Sequence, residues 1–289
     1  MDTKKYLASA NVDLSQIPTR DSITLSKSEA KAELDQVRRD LAKFQEKLFA
    51  NDTYSVLACF QGMDTAGKDS LVREVFKDFN VRGVEQHSFK VPTELERSHG
   101  YLWRHYVKLP QKGTFGIFNR THYENVLVTR VHPEYLMAEK LPGINNVDDV
   151  DQNFWDMRFD QINNFETELV QNGTIVFKFF LHLSKGEQKN RLLRRLRKPE
   201  KNWKFSPGDL AERKLWDKYQ YCYQEAIKHT HNSEAPWYII PADDKPMARL
   251  IVARILLEEL NKYKDIDFPE LSELEQNNLQ LYKDQLNSE

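Results

Sequence analysis

Cysteine is nearly missing from this chain: Cys59 and Cys222 are the only two in 289 residues. So few thiols exclude a disulfide framework and point to a reducing compartment, so a cytoplasmic protein is expected. Also missing is any apolar run near the roughly 20 residues that a membrane-spanning helix needs, and the polar N-terminus is no secretory signal. No membrane partner is expected. Charge of one sign is lacking too. The formal net charge is −2, which gives no global reason to expect nucleic acid, so anion binding has to come from local clusters. Internal repeats, low-complexity stretches and metal-type Cys/His spacings do not occur, and the eight histidines are scattered. What is present is 40% hydrophobic and 30% charged residues, enough for a globular core without overall disorder. One domain over 1–289 is expected.

The chain is organised around Gly62-Met63-Asp64-Thr65-Ala66-Gly67-Lys68-Asp69. An apolar run, Tyr54 to Phe60, precedes it, and Leu71, Val72, Val75, Phe76 and Phe79 follow at helical spacing. Strand, glycine loop, helix is the order of a phosphate-cradling loop of the form G-x-x-x-x-G-K. Its glycines let the backbone approach a phosphate, and the free amides and dipole of the helix start favour the anion. Lys68 adds a charge that can follow a moving phosphoryl group. One group is missing here as well. The residue after the lysine is usually Ser or Thr, whose hydroxyl holds Mg²⁺, and this chain has Asp69. An extra carboxylate, Asp64, stands inside the loop, where it is costly unless a cation lies between it and the phosphate. Asp64 is therefore the expected Mg²⁺ ligand.

Residues 1–25 read as polar and extended. Ser26 and Glu29 form a capping box, and Leu34, Val37, Leu41, Phe44 and Leu48 mark a narrow stripe on a helical extension over 26–50. The stripe suits packing on the domain or on a partner helix, hence a homo-oligomer. Val81 to Val91 reads as a strand. Lys90, at its carboxyl end, is a phosphate ligand or a solvated loop charge. Thr93 and Glu96 open a helix expected to run through Trp103 and Tyr106 to Pro110. Thr114 to Phe118 is a third strand. Where such a strand commonly ends in a metal-holding Asp, this one has Asn119, followed by Arg120 as a clamp on phosphate oxygens. Glu124 is a ligand or merely the far half of a capping box with Thr121. A helix over 148–171, a strand from Thr174 to Leu183, a strand from Trp237 to Ile240 and a helix from Met247 to Leu260 complete an alternating pattern. That pattern predicts an α/β fold: a parallel five-stranded sheet in a three-layer αβα arrangement. The tail at 265–289 is polar.

Lys185 to Lys204 holds nine Lys or Arg against two acids, Glu187 and Glu200. Like charges this dense repel unless an anion compensates them, although a solvated face is the common fate of a charge run. Arg191, Arg194, Arg195, Lys198 and Lys204 are thus candidate phosphate ligands on a helical lid spanning 184–209.

Together these stretches resemble the polyphosphate kinase 2 family. The likeness lies in Gly62-x-Asp64-x-x-Gly67-Lys68, in Phe118-Asn119-Arg120-Thr121 continued through Glu124 to Val128, in Ser88-Phe89-Lys90-Val91-Pro92, in Tyr101 to Tyr106, in the basic stretch, and in Pro241-Ala242-Asp243-Asp244-Lys245. The resemblance implies a thymidylate kinase-like phosphate-loop fold and Mg²⁺-dependent phosphoryl transfer between inorganic polyphosphate and adenine nucleotides. The run from Tyr123 to Glu134 looks like the class that takes both mono- and diphosphates. Asp64, Lys68 and Arg120 are then the expected catalytic residues. Gly62, Met63, Thr65, Ala66, Gly67, Asp69 and Lys90 join the lid cations on phosphate, and Asn119, Arg120 and Glu124 meet the nucleotide. An ATP-dependent nucleoside monophosphate kinase would share loop and fold, and a polyphosphate- or nucleotide-binding regulator would share the cations without turnover.

Overall fold

The structure, a computed structural model, describes residues 2–23 and 25–289. Met1 and Thr24, both in the stretch expected to be extended, lie outside the described residues. Five strands form one parallel sheet in the order β2-β3-β1-β4-β5: β1 Ser55–Gly62, β2 Val84–Ser88, β3 Phe115–Asn119, β4 Thr174–His182 and β5 Trp237–Pro241. The register pairs Phe60 with Asn119 and Gly62 with Leu181, so the carboxyl ends of the three middle strands meet. Ligands of such sheets bind at that edge.

The helices follow in chain order. α1 is Lys27–Asn51 and α2 is Lys68–Val75. Two single turns, α3 Glu94–Arg97 and α4 Trp103–Tyr106, join β2 to β3. α5 Val128–Val131 and α6 Gln152–Gln171 lie between β3 and β4. α7 Lys185–Arg197, α8 Pro199–Asn202, α9 Pro207–Lys214 and α10 Trp216–Thr230 link β4 to β5. α11 Lys245–Leu260 and α12 Glu273–Asn287 end the chain.

Alternation along the strands builds two cores. Val56, Ala58 and Phe60 of β1 and Phe177, Phe179 and Leu181 of β4 pack against α1, α2 and α11. On the other face Leu57, Cys59 and Val176 meet Phe165 and Leu169 of α6, while Phe180 and Ile239 pack with α10. The stripe of α1 is buried in the first core, with Leu41 and Leu48 wholly inaccessible, and its capping box forms as expected. That stripe is used within the chain, so it offers no face to a partner helix.

Several boundaries depart from expectation. The helix expected from Thr93 to Pro110 is two single turns. Ser98 Oγ and His99 Nδ1 both bond the Leu95 carbonyl, which ends the first turn, and Gly100 follows. The second strand spans only Val84–Ser88, because Val81–Gly83 forms a tight turn capped by Asn80. The helix expected from 148 starts at Gln152, where Asp151 caps it. The N-terminal arm is not merely polar and extended: Tyr6, Ala8, Val12 and Leu14 are buried, and Leu7 bridges Tyr238 at the sheet edge. The polar tail carries α12, which buries none of its residues.

Candidate active site

The loop leaves β1 at Gly62. A Cβ there would stand 3.0 Å from the Leu181 carbonyl oxygen, so glycine is required where β1 presses on β4. Thr65 (φ 66°) and Gly67 (φ 105°) both take left-handed backbone, which folds the loop over the start of α2. The first amides of α2, those of Lys68, Asp69 and Ser70, have no acceptor inside the helix and face the cradle. Lys68 Nζ meanwhile donates to the Gly62 carbonyl at 2.5 Å and reaches that of Met63 at 3.5 Å. Burial, then Arg120, holds this ammonium below its ordinary pKa. Thr65 Oγ1 is buried with no partner, which leaves a hydroxyl for a ligand. Met63 and Ala66 are buried and contribute backbone only.

At the end of β3, Asn119 is buried and donates to Asp69 Oδ1 at 2.6 Å. Asn119 therefore orients Asp69; its side chain is not open to a nucleotide, as the sequence had suggested. Arg120 follows with φ 59°, and its guanidinium points back to Asp64 at 4.0 Å with about half its side chain exposed. Glu124 is no cap: the Thr121 hydroxyl accepts from Tyr123 N instead. Its carboxyl faces Arg120, Lys68 and Gln61; burial pushes its pKa up, against the pull of those cations. Lys90 lies exposed beyond β2 at the same sheet edge, and only its carbonyl is engaged, by Arg104 at 2.8 Å.

The turn that carries Arg120 and Glu124 stands on a buried polar network. Glu166 of α6 accepts from Lys178 Nζ at 2.5 Å and from Tyr123 OH at 2.7 Å, and meets His122 Nε2 at 3.0 Å. Lys178 also donates to the Thr230 carbonyl at 2.7 Å. Every member of this group is inaccessible to water or nearly so.

The basic stretch divides. Arg191 is buried and spends all five N–H donors on protein: Glu187 Oε1 (2.8 Å), the Thr65 and Ala66 carbonyls (3.1 and 2.8 Å), and the Ala242 and Asp243 carbonyls (2.6 and 3.2 Å). It braces the loop and has no donor left for phosphate, contrary to the reading of the sequence. Arg195 is also committed, to the Lys204 carbonyl at 3.2 Å and Asp209 Oδ2 at 3.1 Å. Arg194, Lys198 and Lys204 are exposed, Lys198 lying 3.8 Å from Glu200 and Lys204 over the Trp203 ring.

Asp209, in the first turn of α9, places its carboxyl close enough to Asp64 for the two to influence each other's titration. Burial, then Asp64, raises Asp209 to about 6. Asp64 stays below the usual carboxylate range: burial opposes this, and the Asp209 carboxyl, Lys68, Arg195 and Arg120 outweigh it. Two neighbouring carboxylates, one from the loop and one from α9, are hard-oxygen groups that could hold a small divalent cation. Among the described residues no third acid or histidine joins them.

A sequence profile described as Polyphosphate kinase 2 (PPK2) matches residues 24–268. The chain belongs to that family. A PPK2 relative, the ADP-polyphosphate phosphotransferase of Rhodopseudomonas palustris, is 42% identical over 277 residues, covering 95% of this chain and 94% of its own. The AMP/ADP-polyphosphate phosphotransferase of Meiothermus ruber is 46% identical over 224 residues, 78% of each chain. The crystal structure of Polyphosphate Kinase 2 from Arthrobacter aurescens superposes with a TM-score of 0.85 at 36% identity, covering 93% of this chain and 92% of that one. The fold is thus the P-loop kinase α/β fold. Membership in a phosphotransferase family brings with it a divalent metal cofactor.

Three features of this PPK2 site escaped the sequence. Asp209 occupies the third position of a Ser206–Asp209 capping box, so its spacing announces a cap. Gln188 donates to the Asp64 carbonyl at 3.1 Å, and an isolated Gln on a basic helix gives no signal. Lys178 could have been noticed, since a lone charge inside an apolar strand demands a buried partner.

Proposed function

We propose that the chain transfers the terminal phosphoryl group of inorganic polyphosphate to AMP and ADP, with Mg²⁺, and that the transfer is reversible. The observation that carries this reading is the convergence at one sheet edge of the glycine loop with Lys68, the Arg120 guanidinium and the Asp64–Asp209 pair beneath a cationic helix. The names of the relatives from Rhodopseudomonas palustris and Meiothermus ruber support polyphosphate and adenine nucleotides as the pair exchanged.

The loop amides and the Thr65 hydroxyl hold the reacting phosphate. Lys68, poorly solvated and only 2.5 Å from a loop carbonyl, shifts to the transferring group and neutralises it. Arg120 clamps the phosphate oxygens beside Asp64. Glu124, set between Arg120 and Lys68, keeps both cations in place at the acceptor's side. Asp64 and Asp209 would hold Mg²⁺, which when bound would supply charge neutralisation for the phosphates. No general base is required, since a nucleotide phosphate is already ionised, and catalysis is positioning plus charge stabilisation. Two buried free thiols, Cys59 and Cys222, support a reducing, cytoplasmic setting.

Product analysis tests the reading. Purified protein is given Mg²⁺, polyphosphate and either AMP or ADP, with no ATP present. Formation of ADP and ATP is expected. Phosphorylation of AMP only when ATP is supplied would instead mean an ATP-dependent monophosphate kinase, and binding without product would mean a regulator.

A further inference from the structure

A cavity of about 310 Å³ lies among α5, α6 and α10, lined in part by Arg130, Val150, Trp155, Lys218, Tyr221 and Cys222. It is set apart from the phosphoryl-transfer centre. Tyr223 of α10 lies in the field of Glu124, Arg120 and Asp64, whereas Cys222 beside it lies in that of Arg130, Lys218 and Glu225. So α10 turns one side to the glycine loop and the other to the cavity.

Arg130 is nine-tenths buried. Its Nη2 donates to Gln152 Oε1 at 3.0 Å, and the guanidinium lies over the rings of Trp155, Phe159 and Tyr221 at 5.5, 5.8 and 5.2 Å. Its Nη1 is buried without a partner, and among the described residues Arg130 makes no ion pair. Lys218 Nζ spends one N–H on the Val131 carbonyl and keeps two. The acid in the lining, Asp151, is engaged in starting α6: its oxygens accept from the Phe154 amide at 2.9 Å and from Asn153 Nδ2 at 2.8 Å. Glu225, beyond Cys222, stands 3.6 Å from His229. Aromatic faces relieve a cation in part, but they offer no acceptor in the plane of the guanidinium. A buried charge with neither counter-ion nor full hydrogen bonding is costly. An oxyanion in the cavity supplies both.

We infer that this cavity binds a small organic oxyanion, its carboxylate or phosphate head on Arg130 and Lys218 and its apolar body against Val150, Trp155 and Cys222. The volume is at the small end of ligand pockets, about 300–1,000 Å³, and suits one ring with a charged head. Nη1 is out of reach of water, so Tyr221, the half-exposed ring of the three, turns aside to admit the head. The site is separate from the one under the proposed function and does not depend on that reading.

The test is calorimetric titration of the full chain with benzoate and, separately, with phenyl phosphate, with thermal unfolding run alongside. At least one of the two is expected to bind. Arg130→Met, which keeps the bulk and removes the charge, is expected to weaken that binding about tenfold or more, while Lys68→Ala in the glycine loop leaves it unchanged. Should Arg130→Met fail to fold, Lys218→Ala, at an exposed position, decides in its place. Binding of benzoate alone assigns a carboxylate head, of phenyl phosphate alone a phosphate head, and of both a site for either. Absence of binding by both compounds, affinity kept in the deciding variant, or affinity lost in Lys68→Ala would overturn the inference.

Discussion

Arg120 holds a left-handed backbone, φ 59°, at the end of β3. Such a conformation costs a non-glycine residue about 1–3 kcal/mol, and it aims this guanidinium at Asp64. Arg120→Gly is therefore expected to raise the melting temperature while lowering turnover by about a hundredfold or more. A thermal scan beside a coupled assay separates the two effects. Asp64→Asn and Lys68→Ala should each cost a similar factor in turnover without unfolding the protein, and near-normal rates in folded Asp64→Asn would remove its metal role. The Lys245 ammonium sets a pH dependence. Its charge is present below about pH 8 and is lost as pH rises through that value. Arg191, Arg194, Arg249 and Glu187 are the other charged groups that face it. Under the proposed function, polyphosphate affinity should thus fall between pH 7 and 9 in the wild type, and Lys245→Arg should flatten the fall. Asp64, Lys68 and the loop glycines were legible because their chemistry fixes their spacing. Asp209 and Asn119 were not: one looks like a cap, and the other is hidden by its bond to Asp69.

The basic run shows what a helix conceals in its own sequence. Arg191, Arg194 and Arg195 look equivalent in composition, yet the first is buried, the second exposed and the third tied to α9. Which face of α7 turns inward depends on where the Thr65 and Ala242 carbonyls stand, and those come from distant parts of the chain. Arg191→Ala should strand four carbonyls and lower stability by several kcal/mol, while Arg194→Ala should leave the unfolding midpoint unchanged and weaken polyphosphate binding. Denaturant titration distinguishes the two. The Lys178–Glu166 pair joins β4 to α6 in the same hidden way. Lys178→Met leaves an unpaired buried carboxylate, with an expected cost of about 3–5 kcal/mol, and adding Glu166→Leu should recover much of it. Failure of the double variant to recover would mean that His122 and Tyr123 depend on the charge itself. Elements with long periodic stripes, such as α1, α6 and α11, came close to their expected bounds. The 93–110 stretch did not, because its apolar residues follow helical spacing straight through a Ser-His-Gly break.

Across the whole molecule, strand–helix alternation was enough to foretell the parallel sheet, since a right-handed crossover leaves few other arrangements. It could not give the order β2-β3-β1-β4-β5, which depends on contacts between distant residues. The tail contributes little to this assembly. Removing residues 270–289 is expected to shift stability by less than about 0.5 kcal/mol, because α12 buries none of its residues; a larger shift in thermal unfolding would reveal a contact it makes elsewhere. The five bonds of Arg191 have one further mechanical meaning. The root of α7 is riveted to the cradle and to the turn after β5, so the loop and that turn are held in register by one side chain. Arg213 ties α9, which carries Asp209, to the same root through the Lys185 carbonyl at 2.8 Å and Gln188 Oε1 at 2.6 Å, so loop, α7 and α9 brace one another.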